Sequence, residues 1–467
     1  MKILKWSNVN KTILYLKKNG VRHAFYAAKE RIEEEKKDTY VYLAPPRETL
    51  EAQRREAAEM PWLFSIVVPT YETDEGFLRE MIDSVCAQTY PNWELLLADA
   101  SGTDRVEKEA HIYMAERGDG RIRYLRLETN AGIAENTNAG IREATGDYIA
   151  LLDHDDLLAP DTLYRMAEAV KKAMQNGTAP ELLYSDEDKY DSDSGAYFQP
   201  NIKENFNLDL ILSNNYICHF MAVKAERMKS LLLRKEYDGA QDYDLVLRVV
   251  QRLLHTMPPT QLARQIVHVP EVLYHWRCHA ASTAQNTASK SYAYEAGRRA
   301  LADFCRVQGW KATVENSLHL GFYRVVYEPD LLAVREDVGI VGGRLLDPRG
   351  HICGGIYDRE GMCPYQGLHK EYSGGSTHRA SLVQDCCTVD IRCLRVREEL
   401  WGLYRELTGL VYREKEVGKG RTKTICADLT GLSCDEAGYR DLSRKLCAAA
   451  ADAGYLVVWD PGVSRSL

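Results

Sequence analysis

The chain has 467 residues, enough for two or three domains of ordinary size. Apolar residues make up 45% and charged residues 27%, the balance of a folded protein rather than a disordered one. The net charge of −8 argues against a nucleic-acid partner, and no apolar run approaches the roughly 18–20 residues that span a bilayer.

The first element predicted is a basic helical segment over residues 1–60. Residues 1–58 hold thirteen Lys/Arg against eight Asp/Glu, so the acidity of the chain lies downstream. Trp6, Ile13, Leu14, Leu16, Val21, Phe25 and Tyr26 interleave with the bases. Two readings follow: a helical lead-in packed on the next unit, or a basic amphipathic segment making peripheral contact with an anionic membrane. No short apolar signal-peptide core occurs at the N-terminus.

After the Pro45-Pro46 break the pattern changes. Residues 65–69 (SIVVP) form a β-branched run, followed by a helical stripe of Phe77, Leu78, Met81, Ile82 and Val85. A second buried strand is expected over residues 94–98, ending at Asp99. A helix from about Asp104, a strand over residues 121–127, a helix from about Ile133 and a fourth strand over residues 148–152 follow. Strands alternating with helices predict a parallel sheet covered on both faces, with ligands beyond the strand carboxyl ends. Neither a G-x-G-x-x-G turn nor a G-x-x-x-x-G-K-[ST] loop is present. The fourth strand instead runs into Asp153-His154-Asp155-Asp156. Such hard carboxylate oxygens suit Mg²⁺ or Mn²⁺ bridging to a diphosphate.

These stretches resemble the inverting family 2 glycosyltransferases of GT-A fold. The match runs through residues 65–71 (SIVVPTY), 93–104 (WELLLADASGTD), 130–146 (NAGIAENTNAGIREATG) and 147–158 (DYIALLDHDDLL). It continues through 184–189 (YSDEDK), 241–248 (QDYDLVLR) and 272–284 (VLYHWRCHAASTA), covering roughly 61–310 in order. The subgroup it is most similar to builds O-antigen, rhamnan and related bacterial surface polysaccharides. The resemblance implies a UDP- or dTDP-linked donor, a glycan or lipid-linked acceptor, and Mn²⁺ or Mg²⁺ as cofactor. It implies a nucleotide-sugar site of Pro69, Thr70, Glu72, Asp99, Asn138, Asp153 and Arg277, and a metal held by Asp155, Asp153 and His275. Asp242 stands where the family has its general base, with Asp244 read as a helix N-terminal carboxylate. Asp186, Glu187, Asp188 and Trp276 are assigned to the acceptor. Solvated-turn and packing roles stay open for these four, as a hydrogen-bonded wall role does for His275. The single Asp99, where many members have adjacent aspartates, leaves base preference open.

The tail repeats part of this pattern. Residues 394–401 (LRVREELW) echo 221–228 (MAVKAERM), and 439–459 echo the D-Y-D-L helix and its following strand. No D-x-D and no base counterpart occur there. The expected organisation is therefore a basic segment (1–60), a GT-A catalytic domain (61–310) and a non-catalytic acceptor-half remnant (311–467). The fold class is α/β, with a Rossmann-like, mostly parallel sheet, a helical N-terminal segment and a smaller α/β C-terminal domain. The twelve cysteines, lacking C-x-x-C spacing, predict a reduced, cytoplasmic protein, with a peripheral position at the inner face of the membrane as an extension. A zinc site among Cys353, Cys363, Cys386, Cys387 and Cys393 is the weaker reading. The competing functional reading is a non-catalytic nucleotide-sugar or glycan-binding scaffold, which predicts loss of the D-x-D or the base.

Overall fold

The computed structural model describes residues 6–35, 39–279, 291–418 and 424–467. Helices α1 (Trp6–Glu35) and α2 (Arg47–Glu56) precede β1 (Phe64–Thr70), α3 (Glu75–Cys86), β2 (Trp93–Asp99) and α4 (Arg105–Arg117). The chain continues through β3 (Ile122–Arg126), α5 (Ile133–Glu143), β4 (Tyr148–Leu151), β5 (Leu157–Leu158), α6 (Thr162–Gln175) and the hairpin β6 (Leu182–Asp191) and β7 (Ala196–Asn201). Then come α7 (Leu208–Ile211), β8 (Met221–Lys224), α8 (Ala225–Leu231), α9 (Gln241–Leu254), β9 (Ile266–Cys278) and α10 (Ser291–Val307).

The strands form one sheet ordered β3-β2-β1-β4-β8-β6-β9-β5, with β7 on β6. The nucleotide half, β3-β2-β1-β4, is wholly parallel. Strand β8 runs against both β4 and β6, whereas β6 and β9 run together. Six of the nine strands therefore share one direction, with β5, β7 and β8 reversed. Alternation along the strands divides the core: Val67, Leu96 and Ile149 pack with Ile141, Val246 and Val250. Ile66, Val68, Leu95 and Leu97 pack with Leu78, Met81, Val106 and Leu163 on the opposite face. Gly140 lets α5 lie against β1, since a Cβ there would fall 2.6 Å from Val67 Cγ1.

The tail begins with the hairpin β10 (Ala312–Asn316) and β11 (Tyr323–Tyr327). Val314 and Tyr323 pack into the core formed with α9 and α10, which joins the tail to the first unit. Next come α11 (Leu331–Val334), β12 (Val338–Leu346), β13 (Ile352–Gly354), β14 (Ile356–Tyr357), β15 (Gln384–Asp385), β16 (Thr388–Val389) and β17 (Leu394–Val396). The last elements are α12 (Trp401–Thr408), β18 (Glu414–Val417), β19 (Thr424–Ala427), α13 (Glu436–Asp452) and β20 (Leu456–Ser466). Strand β12 pairs antiparallel with β13 and β17 and parallel with β20, which α13 precedes. Strand β6 has the same relations to β7, β8 and β9, which α9 precedes.

Polar anchors join the units. Arg335 is fully buried between Asp209 (3.2 Å) and Asp337, and Asn207 exchanges hydrogen bonds with the Asp385 main chain. Helix α1 docks on the second unit: Lys18 and Asn19 donate to the carbonyls of Ser317 and Leu318, and Arg22 pairs with Glu371. Buried Glu30 accepts from the main-chain N–H groups of Ser373, Gly374 and Gly375 and from the Ser373 hydroxyl. Of the interleaved N-terminal residues, Tyr26 stacks on His369 at 4.8 Å, while Leu16, Val21 and Phe25 face outward. The side chains of Trp6, Ile13 and Leu14 lie outside the described residues, as do residues 280–284 of the last matching string. No described helix is long and apolar enough to cross a membrane.

Candidate active site

The parallel strands end on one side of the sheet and gather a cluster of polar side chains there. Thr70, closing β1, donates to Asp99 Oδ1 at 3.2 Å across the β1–β2 register. Glu72 accepts from Gly102 N (2.9 Å), Thr103 N (3.1 Å) and Thr103 Oγ1 (2.8 Å), and the Thr103 bond heads the causes that lower its pKa. Pro69 is half-buried beside them. Asp99 is wholly buried and accepts from Thr70, Ser101, Tyr124 and Arg126. A base or ribose hydroxyl reaching Asp99 must displace one of those donors, so the aspartate shapes the pocket wall.

The acidic loop after β4 separates its carboxylates by function. Asp156 is buried, accepting from Tyr274 and from Arg277 N (2.7 Å), and burial followed by Asp153 and Asp155 pushes its carboxyl far up. It is an anchor. Asp153 and Asp155 are open, with side chains 46% and 23% exposed. Asp155 Oδ2 lies 3.3 Å from His279 Nε2. Two donors at that separation can share one octahedral cation with bonds of ~2.1 Å, and the oxygen-rich set suits Mg²⁺ or Mn²⁺.

At the other end, Asp242 sits in the first turn of α9. Its Oδ2 accepts from Asn215 Nδ2 at 2.8 Å and from the Cys218 thiol at 3.7 Å. Burial pushes its carboxyl above the ordinary range against the opposing pull of His219. His219 Nε2 lies 3.6 Å from Asp153 Oδ2, and its Nδ1 lies 3.5 Å from Glu187 Oε2. Burial opposes the His219 charge, yet Cys218, Asp153 and Glu187 together raise its pKa well above 6.5. For Glu187 burial favours the neutral acid, but Lys203, His219 and Asn201 outweigh it and hold the carboxyl at about 2. Trp276 stands beside this group, 6.2 Å from the His219 ring. Asp244 is instead buried between Arg234 and Arg248.

Several expected ligands turn away from the cleft. Asn138 exchanges both amide groups with the main chain of Leu233 (2.8 and 2.7 Å), tying α5 to the loop after α8. It is structural. His275 donates to or accepts from Asp188 at 2.6 Å in a buried pocket of Tyr42 and Tyr197. Strand alternation puts it on the face opposite Tyr274 and Trp276; beside Asp155 stands His279, just past the end of β9. The same alternation turns Asp186 and Asp188 inward: Asp186 binds Lys203 N and His268, while Asp188 binds His275 and Tyr40. Only Glu187 of the three faces the cleft. Arg277 is 1% exposed, donates to the Asp155 carbonyl and pairs with Glu80 at 2.7 Å. It clamps the acidic loop from behind rather than reaching a diphosphate.

Asn215, Cys218, His219 and Lys203 escaped the sequence reading. For Asn215, Cys218 and His219 the signal was the run 213–219 (SNNYICH) entering buried β8; Lys203, ten residues earlier, had none.

The fold is α/β, with acidic side chains gathered at the carboxyl ends of its parallel strands. Residues 65–231 match the family described as Glycosyl transferase family 2. It is 40% identical over 243 residues to Uncharacterized protein y4gI of Sinorhizobium fredii, covering 52% of this chain and 25% of that protein. It is 35% identical over 272 residues to O-antigen biosynthesis protein RfbC of Myxococcus xanthus, covering 57% and 20% respectively. The chain thus spans a quarter or less of the length of these two relatives. A solved structure, Mannosyltransferase PcManGT from Pyrobaculum calidifontis in complex with GDP-Man and Mn²⁺, aligns with TM-score 0.39 at 16% identity, over 55% of this chain and 70% of that one.

Proposed function

We propose that the first unit transfers a sugar, with inversion, from a UDP- or dTDP-linked donor to a glycan or lipid-linked saccharide acceptor in bacterial surface-polysaccharide biosynthesis. The observation that carries this reading is a run of contacts from Asp153 through His219 and Cys218 to Asp242, with Asp155, two residues along the same loop, paired with His279. Asp153, Asp155 and His279 would hold Mg²⁺ or Mn²⁺, which supplies charge stabilisation for the departing diphosphate. Asp242 takes the proton from the acceptor hydroxyl as that oxygen attacks the anomeric carbon on the face away from the nucleotide. Its raised pKa strengthens it as a base, and Asn215 orients it. Thr70, Pro69, Glu72 and Asp99 shape the nucleoside end; Glu187 and Trp276 face the acceptor. The polysaccharide setting rests on the similarity to the O-antigen biosynthesis protein.

The tail, in this proposal, is a second acceptor-half unit that braces the first. At the start of α13, which precedes β20 as α9 precedes β9, Arg392 pairs with Asp390 at 2.9 Å and Glu436 at 2.5 Å, and Tyr439 stands where the echo would place the base. Peripheral membrane contact would use the outer side of α1, where Val21 and Phe25 are 77% and 63% exposed. Co-sedimentation with anionic vesicles, lost in a Val21→Ser/Phe25→Ser variant, tests that part. For the enzymatic part, UDP-, dTDP- and GDP-sugars are screened by thermal shift with and without Mn²⁺. A metal-dependent shift that Asp155→Ala removes is expected; undiminished metal-dependent binding by Asp155→Ala would overturn the metal assignment.

A further inference from the structure

Cys218 and His219 lie between the two working ends of the cleft, and their geometry has a second chemistry. Cys218 Sγ is 3.2 Å from His219 Nδ1, which is 3.5 Å from Glu187 Oε2. A tetrahedral Zn²⁺ site, with Zn–S of about 2.3 Å and Zn–N or Zn–O of about 2.0–2.1 Å, has ligand–ligand edges of roughly 3.3–3.6 Å. The three donor atoms lie within 4.8 Å of one another, the one such cluster among the described residues; the tail cysteines do not converge in this way.

An independent observation points to a missing ligand. Glu187 is 8% exposed, and its Oε1 accepts from Asn201 Nδ2 at 3.1 Å. Its Oε2 is buried without any hydrogen bond. The charges of His219 and Lys203 keep it ionised, but at 3.5 and 3.6 Å neither donates a hydrogen bond to it, which leaves the oxygen able to meet a directly bound cation. Lys203 is the nearest ammonium, at 3.6 Å, but it donates to the carbonyls of Ile217 and His219 and so secures the main chain.

We propose that Glu187, Cys218 and His219 form a binding site for a borderline-soft divalent cation of the Zn²⁺ type, separate from the Asp153–Asp155 donor site. Thiolate and imidazole select such an ion over Mg²⁺ or Mn²⁺. Binding releases two protons to solvent, that of the Cys218 thiol and the one the charged His219 carries on Nδ1. One thiolate and one carboxylate neutralise the cation, and the fourth position stays open. His219 ligates through Nδ1, leaving Nε2 toward Asp153 Oδ2 at 3.6 Å, the carboxylate–histidine–metal arrangement that fixes a ring's orientation. Because Cys218 Sγ is 3.7 Å from Asp242, an occupied site closes the acceptor side of the cleft. This last consequence alone rests on the transferase reading.

The test is titration of the metal-stripped full-length protein with Co²⁺, read by absorption and independent of any transferase assay. One equivalent is expected to bind with a thiolate-to-cobalt charge-transfer band and tetrahedral visible bands, both displaced by Zn²⁺. Cys218→Ser should abolish the charge-transfer band, Glu187→Gln should weaken binding at least tenfold, and Asp155→Ala should retain both signals. Absence of a thiolate band in the unaltered protein overturns the proposal without recourse to any variant. So does an unchanged band in folded Cys218→Ser, which would assign it to one of the other eleven cysteines, or unchanged affinity in Glu187→Gln.

Discussion

Asp186 and Glu187 are neighbours in sequence with opposite duties, because successive strand residues face opposite sides of a sheet. Asp186 holds Lys203 N and His268, so Asp186→Ala should cost about 1–3 kcal/mol in denaturant unfolding by stranding buried donors. The acidic string 186–188 was legible as chemistry, but its facing was not. Period-2 alternation through β6 and β9 turns Asp186, Asp188 and His275 inward, and only the strand register reveals that. The sequence singles out Asp153, Asp155 and Asp242 by their places at a strand end and a helix start, and the roles given to them here are proposals. For Asp242 the pH dependence has a definite sign. Burial raises its pKa, and a general base works ionised, so kcat should fall as pH drops through a value above the ordinary ~3.9 of aspartate. A pH–rate profile with its acid limb at or below that value would contradict the burial argument.

Helix α1 illustrates the element scale. Its bases suggested a membrane surface, yet Lys18, Arg22 and Glu30 meet the second unit. Composition could not foresee this, since the receiving groups are main-chain N–H and carbonyl groups some 300 residues away. Glu30→Ala removes the acceptor of three main-chain N–H groups and should destabilise docking by about 1.5–3 kcal/mol, read as faster hydrogen exchange in α1. His319 and His378, stacked at 3.6 Å nearby, give the same junction a pH dependence. Burial lowers them to about 4 and about 3, Glu30 partly opposing this for His319 and His319 adding to it for His378. The unfolded chain, with histidines near 6.5, binds more protons below that pH. Stability should therefore be full above about 6.5 and decline as pH falls toward 4, by a few kcal/mol in order of magnitude. A flat thermal-unfolding profile over that window would refute it. By contrast, the helices and strands from β1 to β4 were legible almost residue by residue, because short β-branched runs between amphipathic helices have one economical packing.

At the scale of the whole molecule, the two units are joined by buried charge. Arg335 lies between Asp209 and Asp337 and stacks on Trp310 at 4.5 Å. Arg335→Ala leaves Asp209 buried without its cation and should cost about 3–5 kcal/mol, seen as a lowered Tm. The β10–β11 hairpin of the tail joins the first core through Val314 and Tyr323. That contact joins segments without local periodicity. The central claim is that the cleft between Asp155 and Asp242 transfers a sugar with Asp242 as base. Its most direct test compares kcat for nucleotide release by the unaltered protein and Asp242→Asn, with donor, Mn²⁺ and acceptor saturating. The account predicts a loss of about 10²-fold or more with donor affinity unchanged; an unchanged kcat in Asp242→Asn would contradict it.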